Sequence, residues 1–144
     1  MSFTPGRMLR LLRWALVLPA GAAGLYAGVV SALLLVTLLQ RLCPIEDQIS
    51  GFCYASWYGA AESSAIALGA AIGAVGAVSL PALMAPSRKR LVSALFYAFG
   101  AAYATWFLVS VGNSFLLPFG VAMAAGALAV LAWRRWGSEG EDLV

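Results

Sequence analysis

The sequence predicts an all-α integral membrane protein, a four-transmembrane-helix bundle of up-and-down topology with both termini in the cytoplasm. Of its 144 residues, 62% are hydrophobic and 10% are charged, whereas a soluble domain has roughly 25% charged residues. The charged residues are grouped at the ends of four apolar runs, each long enough to cross a bilayer. We therefore expect one membrane domain over residues 1–144.

The first predicted helix covers residues 14–39 and follows a short basic head. Arg7, Arg10 and Arg13 recur there at helical spacing among leucines, so the head is expected to form an amphipathic helix at the membrane surface. The small residues after Pro19 resemble the end of a secretory signal peptide, but the apolar run continues far beyond them. About 26 residues at ~1.5 Å each span ~39 Å. The run is expected to stay uncleaved as the first membrane helix.

The only long polar interruption, residues 40–58, holds both cysteines of the chain. We expect Cys43 and Cys53 to form a disulfide that stabilises the loop by about 2–3 kcal/mol through loop closure. A redox-active pair is the alternative, although the close CxxC spacing of thiol oxidoreductases is absent. Because disulfides persist in oxidising compartments, this outer loop is expected to face the periplasm of a bacterium.

The second predicted helix, residues 59–84, is rich in glycine and alanine. Ala65, Gly69, Gly73 and Ala77 recur at a spacing of four and include a GxxxG motif. Such a stripe of small residues lets another helix approach closely. The second helix is therefore expected to lie at the centre of the bundle.

The third predicted helix, residues 91–111, carries large aromatic side chains instead. Residues recur there at a spacing of about 3.5: Phe96, Phe99 or Gly100, Tyr103, and Trp106 or Phe107. We expect them to pack as large knobs against the small-residue stripe of the second helix, because large and small faces interlock at high density. A quinone, lipid tail or carotenoid held between these two faces is the alternative, and no other cofactor is expected.

The fourth predicted helix, residues 115–133, is the shortest span at about 19 residues. Basic residues at 88–90 and at 134–135 flank the spans on the side opposite the cysteine loop. Positive charge accumulates on the cytoplasmic side of membrane proteins. We therefore expect a multi-pass protein of the bacterial inner (plasma) membrane.

A small polar site is the one candidate for solute chemistry, at the outer end of the second helix. Its predicted members are Glu62, Ser63, Ser64 and Tyr58, with Asn113 or Ser114 from the other outer turn. A carboxylate inside hydrocarbon is costly and usually functional. One at the boundary reaches water or the positive end of its own helix at little cost. Both interpretations of Glu62 stay open.

The residue inventory favours a non-catalytic protein. Histidine is absent, and no paired carboxylates, metal-ligand set or phosphate-binding glycine loop are found in the sequence. Neither an enzyme, a metal site nor a nucleic-acid partner is expected. The expected function is an interaction or assembly subunit of a larger membrane complex, or capture of a protein such as a toxin through the outer loop.

The alternative function is a small oligomeric transporter or channel that uses Glu62 at its outer mouth. Transport paths carry polar groups through the midplane, whereas the middle of each predicted span is apolar. The assembly function is therefore preferred. Its expected partners are membrane lipids and other membrane-protein subunits or further copies of the chain.

Overall fold

The computed structural model describes residues 5–112 and 115–139, which form five α-helices and one small β-hairpin. In chain order these are α1 (Pro5–Ala15), α2 (Val17–Arg41), a 3-10 turn (Ile45–Asp47), β1 (Gln48–Ile49), β2 (Phe52–Cys53), α3 (Tyr58–Met84), α4 (Lys89–Val111) and α5 (Leu116–Glu139).

Four of these helical segments are long and apolar enough to cross a membrane: Met8–Arg41, Tyr58–Met84, Lys89–Ser110 and Leu116–Trp136. The shortest has 21 residues, and about 20 are needed to span the hydrocarbon core. The prediction of an all-α protein with four helices of membrane length is confirmed. The main difference in bounds is at the last helix, which ends at residue 139 instead of 133.

The predicted basic head is a helix, and it continues into α2 with one irregularity. The Leu16 N–H donates to the Leu12 carbonyl at 3.1 Å, and the Ala20 N–H donates to the Leu16 carbonyl at 3.0 Å. Pro19 has no N–H to donate, which removes one bond of the ladder at this point. The 34 residues of the combined helix measure ~51 Å at 1.5 Å each, which exceeds the ~30 Å thickness of a hydrocarbon core.

Helix α3 lies at the centre, as its small residues predicted. It contacts α2, α4 and α5 and is the most buried of the four long helices. The end of the bundle that carries residues 42–57 is called the cystine end here. The end that carries α1 and the α3–α4 turn, residues 85–88, is called the basic end.

The small-residue stripe of α3 packs against α2 and not against the aromatic residues of α4. A Cβ atom added to Gly28 would lie 2.5 Å from the Gly73 Cα, and one added to Gly69 would lie 2.5 Å from the Ala32 Cβ. One added to Gly24 would overlap the backbone of Gly76. The two backbones are in direct contact, which leaves no room for aromatic side chains between them.

The prediction that Phe96, Tyr103 and Trp106 pack on Gly69 and Gly73 is therefore wrong. Tyr103 and Trp106 are 65% and 64% exposed, and their rings contact each other at a centroid distance of 5.9 Å. Phe96 is half-buried near the basic end, where it joins a small cluster formed by Val17, Ala85 and Val92. Two helices that both present glycine can approach each other more closely than a glycine-lined helix and an aromatic one. For this reason α2, and not α4, packs on the small-residue stripe of α3.

A different aromatic residue, Tyr97, joins α4 to its neighbours. A Cβ atom added to Gly126 of α5 would lie 2.9 Å from the Tyr97 ring. The Tyr97 hydroxyl donates to the Met123 carbonyl of α5 at 3.3 Å. The ring packs against a cluster contributed by α3 and α5: Val78, Ala129 and Val130.

Candidate functional site at the cystine end

The loop between α2 and α3 is closed by a disulfide between Cys43 and Cys53, as predicted. The two Cα atoms are 6.0 Å apart, and Cys43 is buried beneath the loop. The bridge ties the C-terminal end of α2 to the second strand. Residues 42–57, with this bridge at their base, are called the cystine hairpin below.

The cystine hairpin contains a two-stranded antiparallel ladder that the sequence analysis did not predict. Ile49 pairs with Phe52, and Gln48 pairs with Cys53. The two residues between the strands, Ser50 and Gly51, have φ angles of 52° and 84°. Positive φ at both central positions is typical of the turns that connect two-residue hairpins. The Ser50–Gly51 dipeptide between apolar residues was the sequence signal for this turn.

Hydrogen bonds outside the ladder fix the rest of the cystine hairpin. The Gln48 side-chain amide donates to the Cys43 carbonyl at 3.0 Å. The Tyr54 N–H donates to the Asp47 carbonyl at 2.9 Å, and the Asp47 N–H donates to the Pro44 carbonyl at 3.1 Å. A short loop with one covalent and several polar constraints loses little further entropy when it binds a partner.

The two faces of the hairpin differ in chemistry. Successive side chains of a strand point to opposite faces, so Gln48 and Cys53 share the face of the disulfide while Ile49 and Phe52 point away from it. Ile45, in the 3-10 turn, is 90% exposed. Together these outward apolar residues form a surface that we call the apolar crest: Ile45, Ile49, Phe52 and Tyr54, all exposed.

Charge at the apolar crest is mainly negative. Glu46 is exposed and Asp47 is half-buried, both in the 3-10 turn that also carries Ile45. The nearest basic residue in the sequence is Arg41, which is exposed at the end of α2. A complementary surface would be apolar at its centre and basic at its rim.

The predicted polar site near Glu62 is only partly assembled. Glu62 is half-buried on α3 and lies four residues after Tyr58, on the same helix face as the buried Tyr58 ring. The hydroxyl of Ser63 donates to the Gly59 carbonyl at 2.9 Å. The hydroxyl of Ser64 donates to the Ala60 carbonyl at 2.8 Å. Both serines therefore serve their own helix instead of Glu62.

The other predicted members of that polar site, Asn113 and Ser114, lie outside the described residues. Four other hydroxyl groups in the spans behave like those of Ser63 and Ser64. Each donates to a carbonyl four residues earlier in its own helix, at 2.7–2.9 Å: Ser31, Thr37, Thr105 and Ser110. Their donors are thus used within single helices.

The predicted packing residues Ala65, Gly69, Gly73 and Ala77 line α3 on its α2 side or are buried near it. Ala65, Gly69 and Gly73 are buried and Ala77 is half-buried. Gly69, Gly73 and Ala77 meet the small residues of α2. The glycines of α2 recur at spacings of three and four, which is the signal that identifies α2 as the second half of this contact.

The space predicted for a lipid tail or quinone, between α4 and the stripe of α3, is filled by α2. An apolar groove of about 580 Å³ lies instead between α3 and α5, toward the basic end. Val75 and Leu83 of α3 and Leu128 of α5 line it, and Trp133 and Trp136 border it. Among the described residues no group of three or more acidic, cysteine or histidine side chains is arranged to hold a metal ion.

Taken together, the fold defines a protein with four apolar helices of membrane length and a rigid, disulfide-closed hairpin at one end. Comparisons with protein-family models, with curated proteins and with solved structures found no match.

Proposed function

We propose that this chain is a non-catalytic, multi-pass subunit of a bacterial inner-membrane assembly, and that its apolar crest binds another protein. The observation that carries the proposal is the exposed apolar crest on a covalently closed hairpin. Ile45, Ile49, Phe52 and Tyr54 are exposed at the cystine end. Several large apolar side chains exposed on one short loop mark a site that another molecule covers.

Rigidity of the hairpin supports protein binding over simple contact with lipid. The disulfide and the Gln48 amide hold the base of the cystine hairpin, so the crest is preorganised. Aromatic side chains such as Phe52 and Tyr54 supply much of the binding energy in protein interfaces. The neighbouring carboxylates of Glu46 and Asp47 favour a partner surface with basic residues at its rim.

The proposed orientation places the cystine end in the periplasm and both termini in the cytoplasm. It is supported by the arginines and lysine of residues 88–90 and 134–135, which lie at the basic end. It is also supported by the disulfide, which persists in an oxidising compartment. A green fluorescent protein fused after Val144 should fluoresce, because that protein matures in the cytoplasm; a dark fusion at normal expression level would reverse the orientation.

The binding proposal is tested by site-specific photo-crosslinking in intact membranes. A benzophenone amino acid is placed at Phe52 or Ile45, and at Val109 as a control that is also exposed but lies on α4. We expect one discrete protein adduct from Phe52 and Ile45 and none from Val109. The same protein should co-purify with the unmodified chain in mild detergent at a fixed ratio, and Phe52→Ser should lower that ratio at least tenfold.

Crosslinks from all three positions to the same heterogeneous set of proteins would contradict a specific crest partner. Crosslinks only between copies of the chain would replace the hetero-assembly with a homo-oligomer. Glu46→Gln with Asp47→Asn should weaken the adduct without removing it, since those charges border the crest and do not form its centre.

The alternative function, a small oligomeric transporter or channel, is supported by one observation. Glu62 is half-buried on the same helix face as buried Tyr58 and Ala65, and a carboxylate at the edge of the spans is a candidate for solute or proton binding. Solute flux in proteoliposomes that disappears in Glu62→Gln, but not in Glu46→Gln, would establish transport and displace the assembly function.

A further inference from the structure

A continuous stripe on α1 and α2 faces the α3–α4 turn at the basic end. Leu9, Arg13 and Val17 follow at intervals of four, so they lie on one helix face. Val17 is buried against Ala85 and Val92, which flank the turn. This apolar contact fixes the register of the stripe, and it holds Arg10 and Arg13 beside the turn.

The result is a groove with a cationic wall. Leu9, Arg10 and Arg13 of α1 line one side of it, and Pro86 and Ser87 of the α3–α4 turn line the other; its volume is about 330 Å³. The chain continues from Ser87 into exposed Arg88 and Lys89. The groove is therefore lined by two guanidinium groups and one hydroxyl, and two further basic residues follow it in the chain.

Negative charge that would balance this groove is placed elsewhere among the described side chains. Glu46, Asp47 and Glu62, the carboxylates whose side chains are described, all belong to the cystine end. The N-terminus of α4, at Lys89, adds the positive end of a helix dipole, with no side-chain cap from Arg88. The groove is thus an electrostatic site for an anion.

The surroundings of the groove are apolar. Met8, Leu11, Leu12 and Trp14 are exposed on the other faces of α1. An amphipathic helix of this kind lies where headgroups meet acyl chains. An anion that approaches the groove across these apolar side chains is therefore expected to be a lipid headgroup, which carries acyl chains.

We propose that the groove binds the phosphate of an anionic phospholipid such as phosphatidylglycerol or cardiolipin. Arg10 and Arg13 present guanidinium groups, whose paired N–H donors match phosphate oxygens, and Ser87 offers a further hydroxyl donor. Leu9 and the exposed apolar side chains of α1 contact the acyl chains. The site shares with the proposed function only the insertion of the helices in a bilayer, so either proposal can fail alone.

The test is native mass spectrometry of the intact chain in detergent, titrated with phosphatidylglycerol or with phosphatidylcholine. Arg10→Gln with Arg13→Gln is compared with Arg41→Gln plus Arg134→Gln, a control that removes the same charge from exposed positions outside the groove. We expect the wild type to prefer phosphatidylglycerol. The groove variant should lose roughly 25-fold in affinity for it, about fivefold per arginine, and the control less than threefold.

Two further measurements identify the molecule that binds in the groove. Arg10→Lys with Arg13→Lys keeps the charge but loses the planar donors, so an intermediate affinity is expected. Millimolar inorganic phosphate should leave lipid binding unchanged. Full competition by phosphate would assign the groove to a free anion instead.

The proposal is overturned if the groove variant and the control lose affinity equally, because lipid binding then depends on the net charge of the chain and not on the groove. It is also overturned if lipid binds strongly only after residues 140–144 are removed, because carboxylates of that segment then occupy the groove in the full chain. Circular dichroism of each variant confirms that the helices are intact, so a loss of binding is not a loss of fold.

Discussion

Gly28→Ala adds a single methyl group and is expected to destabilise the fold clearly. The added Cβ atom would lie 2.5 Å from the Gly73 Cα and 2.6 Å from the Gly69 carbonyl oxygen. Both neighbours are backbone atoms of α3, which cannot rotate away as a side chain can. The α2–α3 pair must therefore separate by about 1 Å to restore ordinary van der Waals distances.

The expected cost follows from the contacts that such a separation weakens. Each optimal pair of heavy atoms contributes about 0.15 kcal/mol, and a gap of 0.5–1 Å forfeits a quarter to a half of it. If roughly 40 pairs are affected, as many as a buried leucine makes, the loss is about 2 kcal/mol. Forcing extra atoms into a well-packed contact costs about 1–3 kcal/mol in mutational studies, which agrees.

Unfolding of the purified protein in mixed detergent micelles, followed by far-ultraviolet circular dichroism, measures this loss. Gly100→Ala is the matched control, because no heavy atom lies within 4 Å of a Cβ atom added there. It should be neutral or slightly stabilising, since alanine is the better helix former. Gly73→Ala is a second comparison within the same contact: its Cβ atom would meet the Gly28 Cα at 3.4 Å, an ordinary distance, so it should cost less than Gly28→Ala.

Two results would refute this reasoning. Equal stability of Gly28→Ala and Gly100→Ala would mean that α2 and α3 are not in backbone contact. A larger loss from Gly73→Ala than from Gly28→Ala would mean that the relative rotation of the two helices is wrong. Either result would also reopen the α3 stripe as a surface for α4.

Two further predictions use the same unfolding assay. Cys43→Ser with Cys53→Ser should lower the unfolding free energy by about 2–3 kcal/mol, because a closed loop of this length restricts the unfolded chain; equal stability of the wild type with and without reductant would contradict this. Tyr97→Ala should cost about 2–3 kcal/mol, because its ring joins α4 to α3 and α5, whereas Tyr103→Ala, at an exposed site, should cost under about 1 kcal/mol. A larger loss from Tyr103→Ala would restore the aromatic stripe as a packing surface.

The spans and the disulfide were predictable because the signals behind them are local. The length of a span follows from the length of its apolar run. The end of a span is marked by the first charged residues after that run, such as Arg41 and Arg88. Cys43 and Cys53 are the only cysteines in the chain, so one pairing was possible. Neither inference requires knowing which helix lies beside which.

The choice of helix partners was not predictable in the same way, because it depends on a competition between surfaces. The stripe of Gly69 and Gly73 can accept either a large side chain or another smooth helix. Gly24 and Gly28 recur at a spacing that matches the stripe, and backbone-to-backbone contact excludes Tyr103. A large-residue face opposite a small-residue face shows only that two helices could pack together. Matching glycine spacings on two consecutive helices identify the helix pair that forms here.

The backbone contact of α2 with α3 and the position of the apolar crest are physically connected. The cystine hairpin joins the ends of these two helices, and the bridge from Cys43 to Cys53 shortens the path between them. Because the helices meet along glycines, their ends have little freedom to slide, and the hairpin begins and ends on fixed points. Ordering a side chain at an interface costs about 0.5–1.5 kcal/mol, so a crest held in place before binding avoids part of that cost for Ile49 and Phe52. If the apolar crest binds a partner as proposed, Gly28→Ala should weaken the Phe52 photo-crosslink as well as the fold, although Gly28 lies outside the cystine hairpin.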